Sequence, residues 1–159
     1  MDCYEVLLGC AHDMGLEVVE KDFKSNVKGL CKGNKIGISK SLKDNKEKRC
    51  VLAEEIAHYF FTVGNIIDIR DASNAKQEHY ARRQAYEAIL PLRLLIDSYM
   101  DGNTNCYEMA EDLSVTEDFL TETLYHYAQK HGSYVRRGDY IVCFSPFRVT
   151  EKKRDGVCM

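Results

Sequence analysis

The sequence predicts an α+β fold that is mainly helical, contains a small antiparallel sheet and ends in a helix-turn-helix or winged-helix-like unit. Three patterns predict it. A capped helical pattern covers residues 44–62, two short β-prone runs flank Gly33, and two helical patterns within residues 107–131 are joined by a tight turn. The chain has 159 residues and is 45% hydrophobic, which is enough to form a core.

The first third of the chain predicts one helix and a small sheet. Residues 2–14 carry apolar positions at helical spacing, with Asp2 as the N-cap and Gly15 as the stop. Residues 16–19 are short and β-branched, so we expect them to be extended. Two runs within residues 27–39 surround a Gly-Asn turn and predict a β-hairpin.

The middle of the chain predicts three helices. Asp44 with a glutamate three residues later is a variant of the capping box, and it opens a helix that should end at Phe61 or Thr62, near Gly64. Residues 65–74 indicate a loop, and a second long helix should begin at Ala75. This helix is kinked at Pro91, or divided there from a shorter helix at 92–100.

Charge and composition exclude several classes of function. The net charge of −3 gives no general attraction to nucleic acid or to a membrane surface, and no apolar run is long enough to span a bilayer. The N-terminus lacks the basic and apolar regions of a signal peptide, so we expect a cytoplasmic protein.

The seven cysteines do not form a C-x-x-C pair. In a reducing cytoplasm we interpret six of them as small buried hydrophobic residues rather than as metal ligands or redox groups. These six are Cys3, Cys10, Cys31, Cys50, Cys106 and Cys143, whereas Cys158 is expected to be an exposed thiol.

The central helix carries the strongest functional motif. Glu54 and His58 are four residues apart, so they lie on one helix face, and Glu55 follows at the next position. The zincin pattern H-E-x-x-H uses two ligands at this spacing with a glutamate as the general base. Here glutamate replaces the first histidine, and carboxylate is also a zinc ligand. The alternative interpretation is a solvated stripe of an amphipathic helix.

A third ligand would come from the second long helix, where Glu78 and His79 are the candidates. The succession resembles the ImmA/IrrE-like metallopeptidases of phages and mobile elements. The resemblance covers residues 11–91 and includes Lys35-Ile36-Gly37-Ile38, Leu52-Ala53-Glu54-Glu55-Ile56-Ala57-His58, and Glu78 with the register of Ala81, Ala85 and Pro91. It implies a zincin-like fold.

The resemblance also implies a role for each site residue. Glu54, His58 and Glu78 would be metal ligands, Glu55 would be the catalytic base, and Zn²⁺ would be the metal, with Mn²⁺ as the alternative because the ligand set is rich in carboxylates. The implied activity is cleavage of a helix-turn-helix repressor of a phage or mobile element, which relieves repression. Arg82 and Gln84 depart from the family pattern, which has Asn and Phe at these positions.

We predict a metallopeptidase domain at 1–102, a helix-turn-helix plus hairpin unit at 103–150 and a charged tail at 151–159. The helices of the second unit carry several acidic residues, so nucleic acid is not the expected partner, and the unit should pack on the first domain or bind a protein. Two alternatives to a peptidase remain. One is an inactive relative that regulates a repressor by binding, and the other is a winged-helix DNA-binding regulator.

Overall fold

The computed structural model describes residues 2–62 and 72–152, the second range with side chains from residue 75 onward. The described chain is α+β. The N-terminal elements are α1 (Cys3–Asp13), β1 (Glu17–Lys21), β2 (Gly29–Lys32), β3 (Lys35–Ser39) and α2 (Asn45–Phe61). The others are α3 (Ala72–Ile89), α4 (Leu92–Met100), α5 (Cys106–Leu113), α6 (Glu117–His131), β4 (Tyr134–Arg137), β5 (Tyr140–Phe144) and β6 (Phe147–Glu151).

Local sequence signals determine where three of the helices begin. Asp2 accepts a hydrogen bond from the backbone N–H of Glu5 in a complete capping box, and Asp44 accepts one from Glu47. Thr116 caps α6 by accepting from the backbone N–H of Phe119. The helices capped by Asp2 and Asp44 therefore begin where the sequence predicts.

The N-terminal sheet differs from the prediction in one respect. The predicted hairpin is present, since β2 and β3 pair antiparallel, but β1 pairs with the other edge of β3 in parallel. The strand order is β1-β3-β2, so the sheet is mixed and the prediction of an antiparallel sheet is wrong for β1. Because β2 lies between β1 and β3 in the chain, β1 and β3 can run in the same direction.

Helix α2 packs on both sides and joins two hydrophobic clusters. Leu52 and Ile56 pack with Ile36 and Ile38 of the sheet. Ala53 and Ala57 pack in a second cluster that contains residues of α3 and also of the C-terminal part of the chain, namely Ala81, Ala85, Leu90, Met109, Phe119, Leu120, Tyr127 and Val142. Both clusters therefore hold in place the helix that carries the motif.

The C-terminal part of the chain consists of α5, a short turn, α6 and a three-stranded antiparallel sheet of order β4-β5-β6. The hairpin about Gly138 is confirmed, and Gly138 has φ +57°. β6 was not predicted, and its last residue is Glu151, the first residue of the predicted charged tail, which pairs with Tyr140. The sequence pattern for β6 was weak because only Val149 of this strand is buried.

The C-terminal elements pack on the rest of the chain. This is one of the two predicted arrangements, the other being that the unit binds a protein. The hydroxyl of Tyr127 donates to the carbonyl of Leu90 at 2.8 Å. Arg49 of α2 donates to the carbonyls of Leu113 and Ser114 at 2.8 and 3.1 Å, where the last turn of α5 leaves them without helical partners. The division into domains at residue 102 remains a prediction, and one hydrophobic cluster includes residues from both sides of it.

Three further expectations can be compared with the structure. Cys50 is buried, but Cys3, Cys10 and Cys106 are exposed and Cys31 and Cys143 are half-buried, so the prediction of buried cysteines is wrong for most of them. Apolar neighbours in the sequence do not show which face of a helix or strand carries a cysteine, so they did not predict its burial.

The loop predicted at 65–74 lies outside the described residues up to residue 71, and α3 already begins at Ala72. Gly64 and Cys158 also lie outside them.

Pro91 divides the predicted second helix, because α3 ends at Ile89 and α4 begins at Leu92. In the described ranges, no helix has the length and apolar character needed to cross a membrane.

Candidate active site

The motif residues of α2 lie at the boundary between the core and the solvent. Their neighbours Leu52, Ala53, Ile56 and Ala57 are buried, whereas Glu54, Glu55 and His58 are half-buried. Removing carboxylates from water has a free-energy cost unless they are paired. The three residues therefore lie in a setting where a compensating charge would stabilise the fold.

Helix α3 brings Glu78 to this surface. The small side chains of Ala53, Ala57, Ala81 and Ala85 are buried together between α2 and α3, which allows the two helices to pack closely. His58 Nε2 lies 3.3 Å from Glu78 Oε1. The structure thus places side by side two residues that are 20 positions apart in the chain.

Burial has a large effect on Glu55. Its pKa is raised from an ordinary 4.5 to about 7, first by burial and then by the charges of Glu54 and Glu78, while His58 and Arg82 oppose the rise. The pKa of Glu54 is also raised by burial, with Glu122 and Glu78 adding to this effect. A carboxyl group that titrates near neutrality is suited to general acid–base chemistry.

His58 and Glu78 shift each other's pKa values toward their charged forms. Burial lowers the pKa of His58, but the hydrogen bond to Glu78 and the nearby carboxylates raise it above its ordinary value. The same hydrogen bond lowers the pKa of Glu78 despite burial. Each side chain therefore favours the charged form of the other.

Glu55 extends toward the sheet. A β-carbon built at Gly29 of β2 would lie 3.1 Å from Glu55 Cγ and 3.2 Å from its Oε1. β2 is an edge strand of its sheet. The candidate base thus lies beside an edge strand, against a residue that has no side chain.

Arg82 was noted in the sequence as a departure from the family pattern, and the structure shows what it contacts. Its Nε lies 3.4 Å from Glu78 Oε1, one helical turn away on α3. Arg82 also lines a cavity of about 280 Å³ together with Glu54 and with Glu122 of α6. The Glu78–Arg82 spacing of four residues is a recognised helical pair and could have indicated this contact.

Glu122 could not have been found in this way, because it is distant in the chain. Its carboxylate accepts a hydrogen bond of 2.7 Å from the hydroxyl of Tyr86. His79, the alternative ligand, is exposed on α3 next to Glu78. The charge of His79 acts on Glu78 and contributes to lowering the pKa of that carboxyl group.

Exposed aromatic rings lie beside the site. Tyr59 packs edge-on against Phe60 at a centroid distance of 4.9 Å, and Phe61 packs against Tyr80 of α3 at 5.6 Å. All four side chains are exposed.

The donor atoms fit a zinc site in part. Two ligands on a tetrahedral zinc ion are about 3.3 Å apart when the metal–ligand bonds are about 2.0 Å long, and this matches the His58–Glu78 separation of 3.3 Å. However, among residues 2–62 and 72–152 no group of three or more His, Cys, Asp or Glu side chains is arranged to hold a metal ion. Only the separation of His58 and Glu78 therefore suits a pair of zinc ligands.

The comparison with known families identifies the chain. The Peptidase_M78 family model, described as the IrrE N-terminal-like domain, matches residues 11–125. The chain belongs to this family. Peptidase_M78 is a family of zinc metallopeptidases, and its matched range extends from α1 into α6.

Family membership confirms the resemblance noted from the sequence. No curated protein and no solved structure matches the chain.

Proposed function

We propose that this member of Peptidase_M78 is a metal-dependent endopeptidase with a protein substrate. The observation that carries the proposal is the 3.3 Å contact between His58 and Glu78, which places two donors at zinc-ligand spacing beside half-buried Glu55. Glu54, His58 and Glu78 would hold the ion, Zn²⁺ or alternatively Mn²⁺. When bound, such an ion supplies Lewis-acid polarisation of a peptide carbonyl.

Glu55 is the proposed general base. Its carboxylate would accept a proton from the attacking water and return it to the leaving amine. In the metal-free protein its pKa is about 7, and a divalent cation held by Glu54, His58 and Glu78 would lower this pKa and favour the ionised form that a base needs. To bind the ion through Nε2, His58 would release the proton of its hydrogen bond to Glu78, and the two side chains already lie close enough to reach one ion.

The edge of β2 is the proposed place for an extended substrate segment. An edge strand offers unpaired backbone groups that a peptide can join as an added strand. Because Glu55 lies next to Gly29, the backbone of such a peptide would come close to the proposed base. This arrangement suits an unfolded or extended stretch of a protein rather than a small molecule.

A helix-turn-helix repressor of a phage or mobile element is the proposed substrate. This proposal rests on the resemblance to the ImmA/IrrE-like peptidases. A DNA-binding role receives no support from charge, because α5 and α6 carry Glu108, Glu111, Asp112, Glu117, Asp118 and Glu122. A salt-dependent shift of duplex DNA by the purified protein would contradict this view.

The test combines metal content with cleavage. The wild-type protein should contain about one equivalent of metal, measured by elemental analysis. His58→Ala should lose the metal, while His79→Ala, a matched control on an exposed histidine, should retain it. Incubation with the helix-turn-helix regulator encoded nearest the gene should give cleavage products that chelator abolishes.

Glu55→Gln should retain the metal and reduce the cleavage rate by about 10²- to 10⁴-fold, because the carboxylate that takes the proton is lost. Cleavage at an undiminished rate by Glu55→Gln would show that Glu55 is not the base.

A second candidate function is regulation by binding without cleavage. The incomplete donor set and the ion pair between Arg82 and Glu78 favour it, because both oppose the entry of a metal. In this case the wild-type protein would take up no metal, and it would co-migrate with the intact regulator in size-exclusion chromatography.

A further inference from the structure

A single oxygen atom of Glu78 has two positively polarised neighbours. Oε1 of Glu78 lies 3.3 Å from His58 Nε2 and 3.4 Å from Arg82 Nε. A metal ion that binds this oxygen must share it with the guanidinium of Arg82 or displace that group. Arg82 therefore competes directly for one of the proposed ligand atoms.

The contact between Arg82 and Glu78 matters because several carboxylates lie close together at this site. Glu54, Glu55 and Glu78 provide up to three negative charges within two packed helices, and a divalent cation would neutralise two of them. Arg82 contacts Glu78 and lines the same cavity as Glu54, so it can offset the third. Lys28 also lines this cavity, but its side chain is largely exposed and its Nζ lies 3.6 Å from Glu47.

We propose that Arg82 is the built-in counter-charge of the candidate metal site. Its guanidinium stabilises the carboxylates of Glu54 and Glu78 when no metal is bound, and it weakens the binding of a divalent cation by competing for Glu78 and by repulsion. Arg82 is a positioning residue in this role, not a catalytic one. The part that concerns metal affinity rests on the proposed function, whereas the part that concerns the metal-free protein does not.

The first experiment measures zinc affinity by competition with a chromogenic chelator at low salt. Arg82→Gln should bind Zn²⁺ about tenfold more tightly than wild type, because a unit positive charge about 6 Å from a divalent cation opposes binding by roughly this factor even in water. Arg82→Lys keeps the charge and should remain within a few-fold of wild type. Arg83→Gln is the matched control, because Arg83 is exposed at the next position and its charge acts on His126.

The second experiment measures the melting temperature in the presence of chelator. Arg82→Gln should melt at least about 2 °C below Arg83→Gln, because the carboxylates lose their counter-charge. The same substitution in a Glu54→Gln background should lower the melting temperature less, since one negative charge has already been removed. This double-mutant cycle separates a charge interaction from a general loss of packing.

Two results would overturn the proposal. One is a zinc affinity of Arg82→Gln that is equal to or weaker than that of Arg83→Gln. The other is a metal-free melting temperature that Arg82→Gln does not lower, or lowers equally with and without Glu54.

If wild type takes up no zinc but Arg82→Gln does, the counter-charge role is supported in its strongest form. If neither takes up zinc, the proposed peptidase function fails, and the metal-free cycle alone then decides whether Arg82 offsets the carboxylates.

Discussion

Glu55 shows how one residue can be prepared for proton transfer by its surroundings alone. It lies on a helix whose adjacent positions are buried, it lies next to Gly29 of β2, and it has the carboxylates of Glu54 and Glu78 nearby. Each of these features makes ionisation more difficult. The same environment that suits a general base must therefore reduce the stability of the fold at neutral pH.

This effect predicts a pH dependence of stability in the metal-free protein. Between pH 4.5 and about 7 the folded chain keeps a proton on Glu55 that the unfolded chain has released, so the free energy of unfolding should fall as the pH rises through this range. The contribution should be about 1 to 3 kcal/mol.

Urea unfolding at several pH values with chelator present measures this contribution. Glu55→Gln should show a shallower fall in the free energy of unfolding than wild type. An identical pH dependence in the two proteins would mean that the Glu55 pKa is not raised.

The sequence predicted some of the individual residues of the candidate site. The spacing of Glu54, Glu55 and His58 placed them on one helix surface, and the resemblance pointed to Glu78, which the structure brings to His58. Their roles as ligands and base remain predictions. The contact of Arg82 with Glu78 could have been inferred from their four-residue spacing, whereas the position of Glu122 depends on packing between helices that are distant in the chain.

Helix α2 and strand β2 meet at Gly29. A β-carbon at this position would lie 2.6 Å from Val51 Cγ1, closer than van der Waals contact allows. Gly29→Ala should therefore lower the free energy of unfolding by about 1 to 3 kcal/mol, because Val51 and Glu55 must move. Denaturant unfolding measures this change.

Gly9→Ala is the matched control for this substitution. Gly9 lies within α1 with nothing within 4 Å of its added β-carbon, so this variant should be more stable by about 0.5 to 1 kcal/mol. Combining Gly29→Ala with Val51→Ala should recover part of the loss. No recovery in the double variant would contradict the proposed clash.

The helix boundaries were predictable because Asp2, Asp44 and Thr116 cap their own helices through local hydrogen bonds. The direction of β1 was not, since β1 pairs with β3 and not with the next strand in the chain. The presence of β6 was not predicted either, although it pairs with the adjacent β5. The alternation of β6 covers only five residues with one buried position, which is too short to be distinguished from a polar tail.

In the whole molecule, the predicted helix-turn-helix and hairpin unit shares a hydrophobic core with the predicted peptidase domain. Phe119, Leu120 and Tyr127 pack in one cluster with Ala53 and Leu90. The turn signal at Gly102 suggested a domain boundary, but a turn shows only where the chain changes direction. It does not show whether the elements on its two sides have separate cores.

A truncation tests whether the two parts fold separately. A chain ending at Gly102 would expose the side of the cluster that Phe119, Leu120 and Tyr127 cover, so it should not unfold cooperatively, whereas a chain ending at Lys152 should. Circular dichroism during thermal unfolding distinguishes the two results. A cooperative transition in the shorter chain would establish residues 1–102 as a domain of their own.

The exposed rings beside the site have a spectroscopic consequence. The chain contains ten tyrosines and no tryptophan, so no indole group absorbs or masks tyrosine emission. Tyr59 follows His58 directly, and Tyr80 lies two positions after Glu78, with both rings exposed. The ultraviolet emission of the unlabelled protein therefore contains an optical signal from the immediate neighbourhood of the proposed ligands, and this signal requires neither a dye nor a substrate.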